Sequence, residues 1–210
     1  MEEKPISFNV PMVRAILEGR KTQTRRIIKP QPDSIHDGEP YWNIGGYRAY
    51  QKRWINDPLR MGTLNPILCP YGENMDRIWV RETWAQDLHG ELFWRADHIN
   101  KPSTVEKWRQ SRFMPRSASR ITLEIIHIRV ERLQDMSEEN AKAEGVYEFS
   151  PGHGTWWAKD PKDGQGNGPW AFAKGANSEL WDSIYAKRGF GWDKNPWVWV
   201  IEFKRIEGVR

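Results

Sequence analysis

Cysteine is nearly absent from this chain. Cys69 stands alone, which excludes a disulfide framework and a thiolate metal cluster. Histidine is sparse as well: the five residues His36, His89, His98, His127 and His153 include no His-x-x-x-His pair and no ligand-like spacing, so no metal site is expected. No apolar run reaches the length that spans a bilayer, and the opening Met-Glu-Glu-Lys-Pro is polar and acidic. The expectation is a soluble cytoplasmic protein without membrane contact. The glycine-rich stretches lack both the Gly-Lys-Ser/Thr of a phosphate loop and the regular acidic spacing of a calcium loop, so no cofactor is expected either.

What is plentiful is tryptophan, with 13 residues in a chain of 210. That length fits a single domain, residues 1–210, able to bury a real core, and aromatic rings of this number serve mainly as packing area. The net charge of +4 and the pI near 9.2 are mild and permit a polyanionic partner without requiring one. Charge is nevertheless concentrated: Arg14, Arg20, Lys21, Arg25, Arg26 and Lys29 are offset only by Glu18. A basic edge is expected there.

Residues 19–26, Gly-Arg-Lys-Thr-Gln-Thr-Arg-Arg, organise the reading. Met12, Val13, Ile16 and Leu17 before them recur at helical spacing, with Asn9 placed to cap, Pro11 near the first helical position and Gly19 suited to a left-handed end. The helix thus delivers Lys21, Thr22, Thr24, Arg25 and Arg26 to its own exit. In an extended run Lys21, Gln23 and Arg25 alternate against Thr22, Thr24 and Arg26. Such a set can bind an anion, activate a hydroxyl nucleophile, or form a solvated basic turn.

Further along, residues 31–73 read as a long irregular insertion rich in proline and glycine, with Tyr41, Trp42, Tyr47, Tyr50 and Trp54 favouring an ordered lid. Residues 77–84 alternate as a strand, placing Arg77, Trp79, Arg81 and Thr83 opposite Ile78, Val80, Glu82 and Trp84. An arginine-bearing face beside tryptophan can line a cleft for a base or phosphate; it can equally be a barrel strand whose arginines meet water. Residues 92–96 read as the next strand, and 104–109 as one helical turn. The longest strand signal, residues 121–133, changes apolar parity from Ile121, Leu123, Ile125 to Ile126, Ile128, Val130, which predicts a bulge near Ile125. Asp135-Met-Ser-Glu138 reads as a capping box for a short helix ending at Gly145, with Glu144 at the end where the dipole disfavours a carboxylate and a cation is expected to answer it. Residues 146–176 form a second insertion; Asn177 or Ser178 caps a helix bearing Leu180, Trp181, Ile184 and Tyr185; residues 197–204 form a buried final strand. The sum is an α+β chain: a small mixed β-barrel with about three short helices and two long loop insertions.

Gly19-Arg-Lys21-Thr-x-Thr24-x-Arg26 after an amphipathic helix resembles the Gly-x-Lys-x-x-x-x-Arg signature of ASCH domains, members of the PUA-like superfold. The strand entry Met75-Asp76-Arg77-Ile78-Trp79-Val80, the helix at 137–144 and the closing strand at 198–204 resemble that family's remaining motifs in the same order. The tryptophan-rich pattern with Cys-Pro-Tyr-Gly and Trp-Val-Arg-Glu-Thr-Trp is similar to phage and prophage members. Small bacterial ASCH proteins are N4-acetylcytidine amidohydrolases with a proposed Lys, Thr and Glu triad, and the matching positions here are Lys21, Thr24 and Glu144. The resemblance therefore implies an amidohydrolase acting on an N4-acylated cytosine nucleoside or a related modified base, with Arg26, Arg77, Arg81 and Trp84 as candidate substrate-binding residues. Two other activities fit the same residues: a non-catalytic reader of single-stranded RNA or modified nucleic acid, in which the basic edge with Trp84 and Trp94 supplies phosphate contacts and stacking, and a single-strand ribonuclease using Lys21 and Arg26.

Overall fold

The structure, a computed structural model, describes residues 3–36, 39–44, 47–49, 68–150, 155–157 and 169–206. Strand β1 (Lys4–Ser7) runs into helix α1 (Val10–Leu17). The helix forms where its sequence asks for it: the Asn9 side chain accepts a hydrogen bond from the Met12 amide at 3.0 Å, Pro11 stands in the first turn, and Met12, Val13, Ala15 and Ile16 are buried. Gly19, at φ 76°, supplies the left-handed residue that ends it. The Lys21 amide then donates to Ala15 O at 2.9 Å, and the chain enters β2 (Gln23–Ile27).

The main sheet also contains β6 (Arg77–Arg81), β9 (Thr122–Arg132) and β12 (Trp197–Ile206), in the order β1-β6-β9-β12-β2. The β1 to β6 pair is parallel and the other three are antiparallel. β12 is apolar on both faces because both are covered: Trp199, Ile201 and Phe203 enter the main core, while Val198 and Val200 pack with Trp181 and Tyr185 of α3 (Ala173–Tyr185). Glu202 pairs with His127 but Phe203 pairs with Ile125, so Ile126 is an extra residue on β9. That is the bulge predicted by the parity change, and it leaves Ile126 exposed.

The architecture is α+β, with three α-helices among the described residues: α1, α2 (Glu138–Ala143) and α3. The expected barrel does not close. Among the described residues, β1 and β2 remain the two edges of the sheet. They are bridged by a side chain, Arg26 Nη2 donating to Ser7 O at 2.9 Å, and not by a backbone ladder. Helix α1, which joins them in the chain, places Met12, Val13 and Ile16 in the main core, so burial at this end comes from a helix instead of a further strand pairing.

Four other expectations are corrected. Residues 31–73 are not wholly irregular: β3 (Ser34–His36), β4 (Glu39–Ile44) and β5 (Tyr47–Ala49) form an antiparallel meander, anchored by Trp42, which is buried in the main core and donates Nε1 to Pro30 O at 2.8 Å. The proposed lid residues Tyr50 and Trp54 lie outside the described residues. The helical turn expected at 104–109 is a single turn closed by Val105 N to Pro102 O at 3.1 Å, after which Arg109 extends to bridge Trp84. The cap of α2 is Ser137, not Asp135, and accepts from the Asn140 amide at 3.2 Å. Helix α3 begins at Ala173, four residues before Asn177, because the Glu138 carboxylate accepts from the Ala173 and Lys174 amides at 2.8 and 3.2 Å. A carboxylate from another helix satisfies the orphan donors that a local cap would otherwise serve. The strand at 92–96 appears as β8 (Leu92–Trp94), paired antiparallel with β7 (Trp84–Gln86).

Candidate active site

Lys21 lies between the end of α1 and the start of β2, and Glu144 lies at the C-terminus of α2. The two residues form an isolated antiparallel bridge. Close approach of the two segments depends on Gly145, whose φ is 91° and where a Cβ would stand 2.8 Å from Lys21 Cβ and 2.9 Å from Ala15 Cβ. Thr22 N donates to Ala143 O at 2.9 Å, and Arg20 Nη1 donates to Gly145 O at 2.9 Å, fixing the helix end against the strand.

With the backbones so held, the side chains meet inside the protein. Lys21 is 2% and Glu144 5% exposed. Lys21 Nζ donates to Glu144 Oε2 at 2.7 Å and to the Glu144 carbonyl at 2.8 Å. The other carboxylate oxygen, Oε1, accepts from Arg25 Nη1 at 3.0 Å. Arg25 is itself buried and turns its remaining edge to Glu131, with Nη2 and Nε 2.5 and 3.0 Å from Oε1, and Glu131 Oε2 accepts from Arg129 Nε at 3.1 Å. Arg129 also pairs with Glu202. The row crosses three strands: Arg25 and Arg129 both stand opposite Val200 of β12, and Glu131 stands opposite Val198.

Electrostatics follow from this packing. Burial pushes the Lys21 amine below the ordinary lysine value of 10.5, the Glu144 carboxylate opposes that shift, and the Arg26 and Arg25 charges reinforce it. Burial pushes Glu144 upward, but the Lys21 and Arg25 charges outweigh it and hold the carboxyl below its ordinary value. Glu144 is thus the anion, shared between two cations. The amine that shares it is the group disposed to lose a proton. A neutral Lys21 still has two N–H bonds, enough for both Glu144 acceptors, and its lone pair is then directed away from them.

Thr24 is buried on β2 with its Cα opposite Ile201. Strand alternation puts it on the same face as Arg26. Arg26 covers the Phe8 ring at 5.0 Å from the centroid, and Lys21 Nζ lies 5.6 Å from that same centroid. Phe8 is therefore common ground between the Lys21 amine and the Arg26 guanidinium. Among the described residues no hydrogen bond joins the Thr24 hydroxyl to Lys21 or Glu144: two members of the expected triad are in contact, and the third stands on the face of β2 opposite Arg25, at the position that pairs with Ile201 of the main core.

Arg26, Arg77, Arg81 and Trp84 do not join the Lys21 and Glu144 network. Arg77 is exposed. Arg81 lies over the Trp79 ring at 4.8 Å, and its Nε is a buried donor without a partner among the described residues. Trp84 is 4% exposed, packed with Met114 and Ala118, with Arg109 over its ring at 4.9 Å and its Nε1 also unpartnered among the described residues. The expected basic edge is largely neutralised from within, since Arg20 pairs with Glu18, and Lys21 and Arg25 pair with Glu144 and Glu131. Sequence reasoning missed Glu131 and Phe8. The alternation of Arg129 and Glu131 on β9 was a usable signal; the pairing across β12 was not.

Among the described residues no group of three or more His, Cys, Asp or Glu is gathered to hold a metal ion, and no helix is long and apolar enough to cross a membrane. Comparison of the chain with protein-family models, with curated proteins and with solved structures returns no match.

Proposed function

We propose that the chain is an ASCH-type protein of the PUA-like kind and an amidohydrolase for an N4-acylated cytosine nucleoside or related modified base. The observation that carries this reading is the buried Lys21 amine, lowered in pKa, held through two hydrogen bonds by Glu144 and sharing the Phe8 ring with Arg26, at the entry to the strand that bears Thr24.

In this reading Thr24 Oγ1 attacks the acyl carbon and its proton passes to Lys21 Nζ, since a hydroxyl is a poor nucleophile until a neighbour removes that proton. Arg26 faces the oxygen that gains negative charge. As the C–N bond breaks, the proton on Lys21 passes to the departing exocyclic nitrogen, giving cytidine and an acyl-threonine. Water, deprotonated by the same amine, then releases acetate and restores the hydroxyl. Glu144 orients Lys21 without leaving its own anionic state. Burial chiefly, and the Arg26 and Arg25 charges after it, oppose the pull of Glu144 on the Lys21 proton, and Arg25 also occupies Glu144 Oε1.

The test is acetate release from N4-acetylcytidine by the wild type beside Lys21→Ala, Thr24→Ala and Glu144→Ala, with circular dichroism confirming that each variant is folded. Turnover by the wild type and its loss in the folded variants supports the reading. A purely structural Lys21 to Glu144 tie makes the opposite prediction: no turnover by the wild type, or activity that survives in folded variants.

A further inference from the structure

A basic segment lies outside every motif that relates the chain to ASCH domains. In residues 95–120 Lys and Arg outnumber Asp and Glu by seven to two, an excess of five in a chain whose total is only +4. Two of these cations are neutralised, Arg116 by Glu3 and Arg120 by Glu82 and Asp97. Lys101, Lys107, Arg109 and Arg112 are exposed and have no carboxylate partner among the described residues, although the Lys101 amine donates to the Val105 carbonyl. Arg95 has none either: it donates to the His98 carbonyl and stacks on Trp108 at 5.8 Å.

Between these charges runs a row of half-buried rings. Phe93 on β8 is followed by His98 at 5.8 Å between centroids, and His98 by Trp108 at 6.2 Å. The row is held in place by backbone. Arg109 N donates to Trp84 O at 2.7 Å and Trp84 N to Arg109 O at 3.2 Å, so a single antiparallel bridge holds Arg109 against Trp84 of the two-stranded β7 to β8 hairpin. Farther along the same segment Phe113 is 64% exposed, with Arg112 over its ring at 4.7 Å. Rings held beside cations that lack a carboxylate partner among the described residues are what a single-stranded polyanion needs: flat surfaces for bases and charges for phosphates.

We propose that the surface built from Phe93, His98 and Trp108 with Lys101, Lys107 and Arg112 binds single-stranded nucleic acid. The inference is independent of the hydrolase reading, because it uses none of Lys21, Thr24 or Glu144. Bases stack along the aromatic row, and the cations meet the backbone. Each phosphate contact contributes a slope of about −0.7 to log K against log salt for single strands.

The experiment is fluorescence anisotropy of a labelled single-stranded RNA and its DNA counterpart against the full chain over a salt series. The expected result is binding that weakens steeply with salt. The Lys107→Glu/Arg112→Glu double variant, altered only at exposed positions, is expected to lose at least tenfold in affinity and to shallow the slope by about 1.4. Trp108→Ala is expected to lose roughly five- to hundredfold. Lys187→Glu, an exposed cation elsewhere on the surface, serves as the control and should bind as the wild type does. Absence of binding by the wild type at low salt overturns the proposal, as does wild-type affinity in the folded double variant. Preference for anionic phospholipid vesicles over either oligonucleotide also overturns it, since exposed Phe113 beside cations would then be a membrane-surface element.

Discussion

Replacing Glu144 and replacing Lys21 should have sharply unequal effects on stability. Glu144→Gln leaves two buried cations, Lys21 and Arg25, facing a neutral amide, and removing one member of a buried ion pair costs about 3–5 kcal/mol. Lys21→Met removes the ammonium together with its desolvation penalty, while Glu144 keeps Arg25 at 3.0 Å, so the expected change stays within about 1.5 kcal/mol. A limit exists on the larger effect, because Lys21 can shed its proton in response. Neutralising a lysine of ordinary value 10.5 costs at most about 5 kcal/mol at about pH 7 and about 1.4 kcal/mol at about pH 9.5. The sign follows: the Glu144→Gln native state gives up the Lys21 proton at a lower pH than the wild type, so the penalty is full in the acid range and shrinks as pH rises. Urea unfolding of both variants and the double variant at these two pH values measures each quantity. Equal penalties for the two substitutions would refute the reasoning, and so would a Glu144→Gln penalty unchanged between the two pH values.

Three further outcomes follow from the same geometry. Arg25→Gln withdraws a like charge from Lys21 and leaves Glu144 to it alone, so the Lys21 pKa rises and the alkaline position of the pH–rate limb moves higher, read from kcat/KM against pH. Gly145→Ala places a Cβ under 3 Å from Lys21 and Ala15 at φ 91°; thermal unfolding should show a loss of about 2 kcal/mol or more, with the Lys21 to Glu144 contact displaced. Burial holds Glu82 above the ordinary carboxyl value in spite of Arg120, so the native state binds its proton more tightly than the unfolded chain. Stability therefore falls as pH rises from about 4.5 through the raised value, and Glu82→Gln should flatten that dependence in urea midpoints.

Much of this was legible in the residues. The Asn9 cap, Gly19 and the apolar spacing of α1 are local signals, and local structure obeyed them. The parity change at Ile125 to Ile126 can only be absorbed by an odd residue, which the sheet carries. Glu144 at a helix C-terminus called for a cation and received two. Features that depend on elements meeting from far apart were not legible. Glu138 caps α3 across 35 residues, an arrangement that neither helix announces. Arg25 reaches Glu131 only because both strands flank β12. The alternation at 77–84 stops where β6 ends at Arg81, so Trp84 turns into a separate small core and not onto a ligand-facing strand. Proline and glycine between 31 and 49 read as irregular, yet Pro40 lies within β4 and the buried Trp42 anchors the short strands there.

The account rests on one proton, that of the Lys21 amine. Its titration can be followed directly by NMR of the isotopically labelled side chain, in parallel with the pH dependence of acetate release from N4-acetylcytidine. The account predicts a Lys21 midpoint below 10.5 that coincides with the rising limb of kcat/KM and is absent from Lys21→Ala. A Lys21 midpoint at or above the ordinary lysine value, or a rate limb that does not follow it, would contradict the assignment of Lys21 as the base.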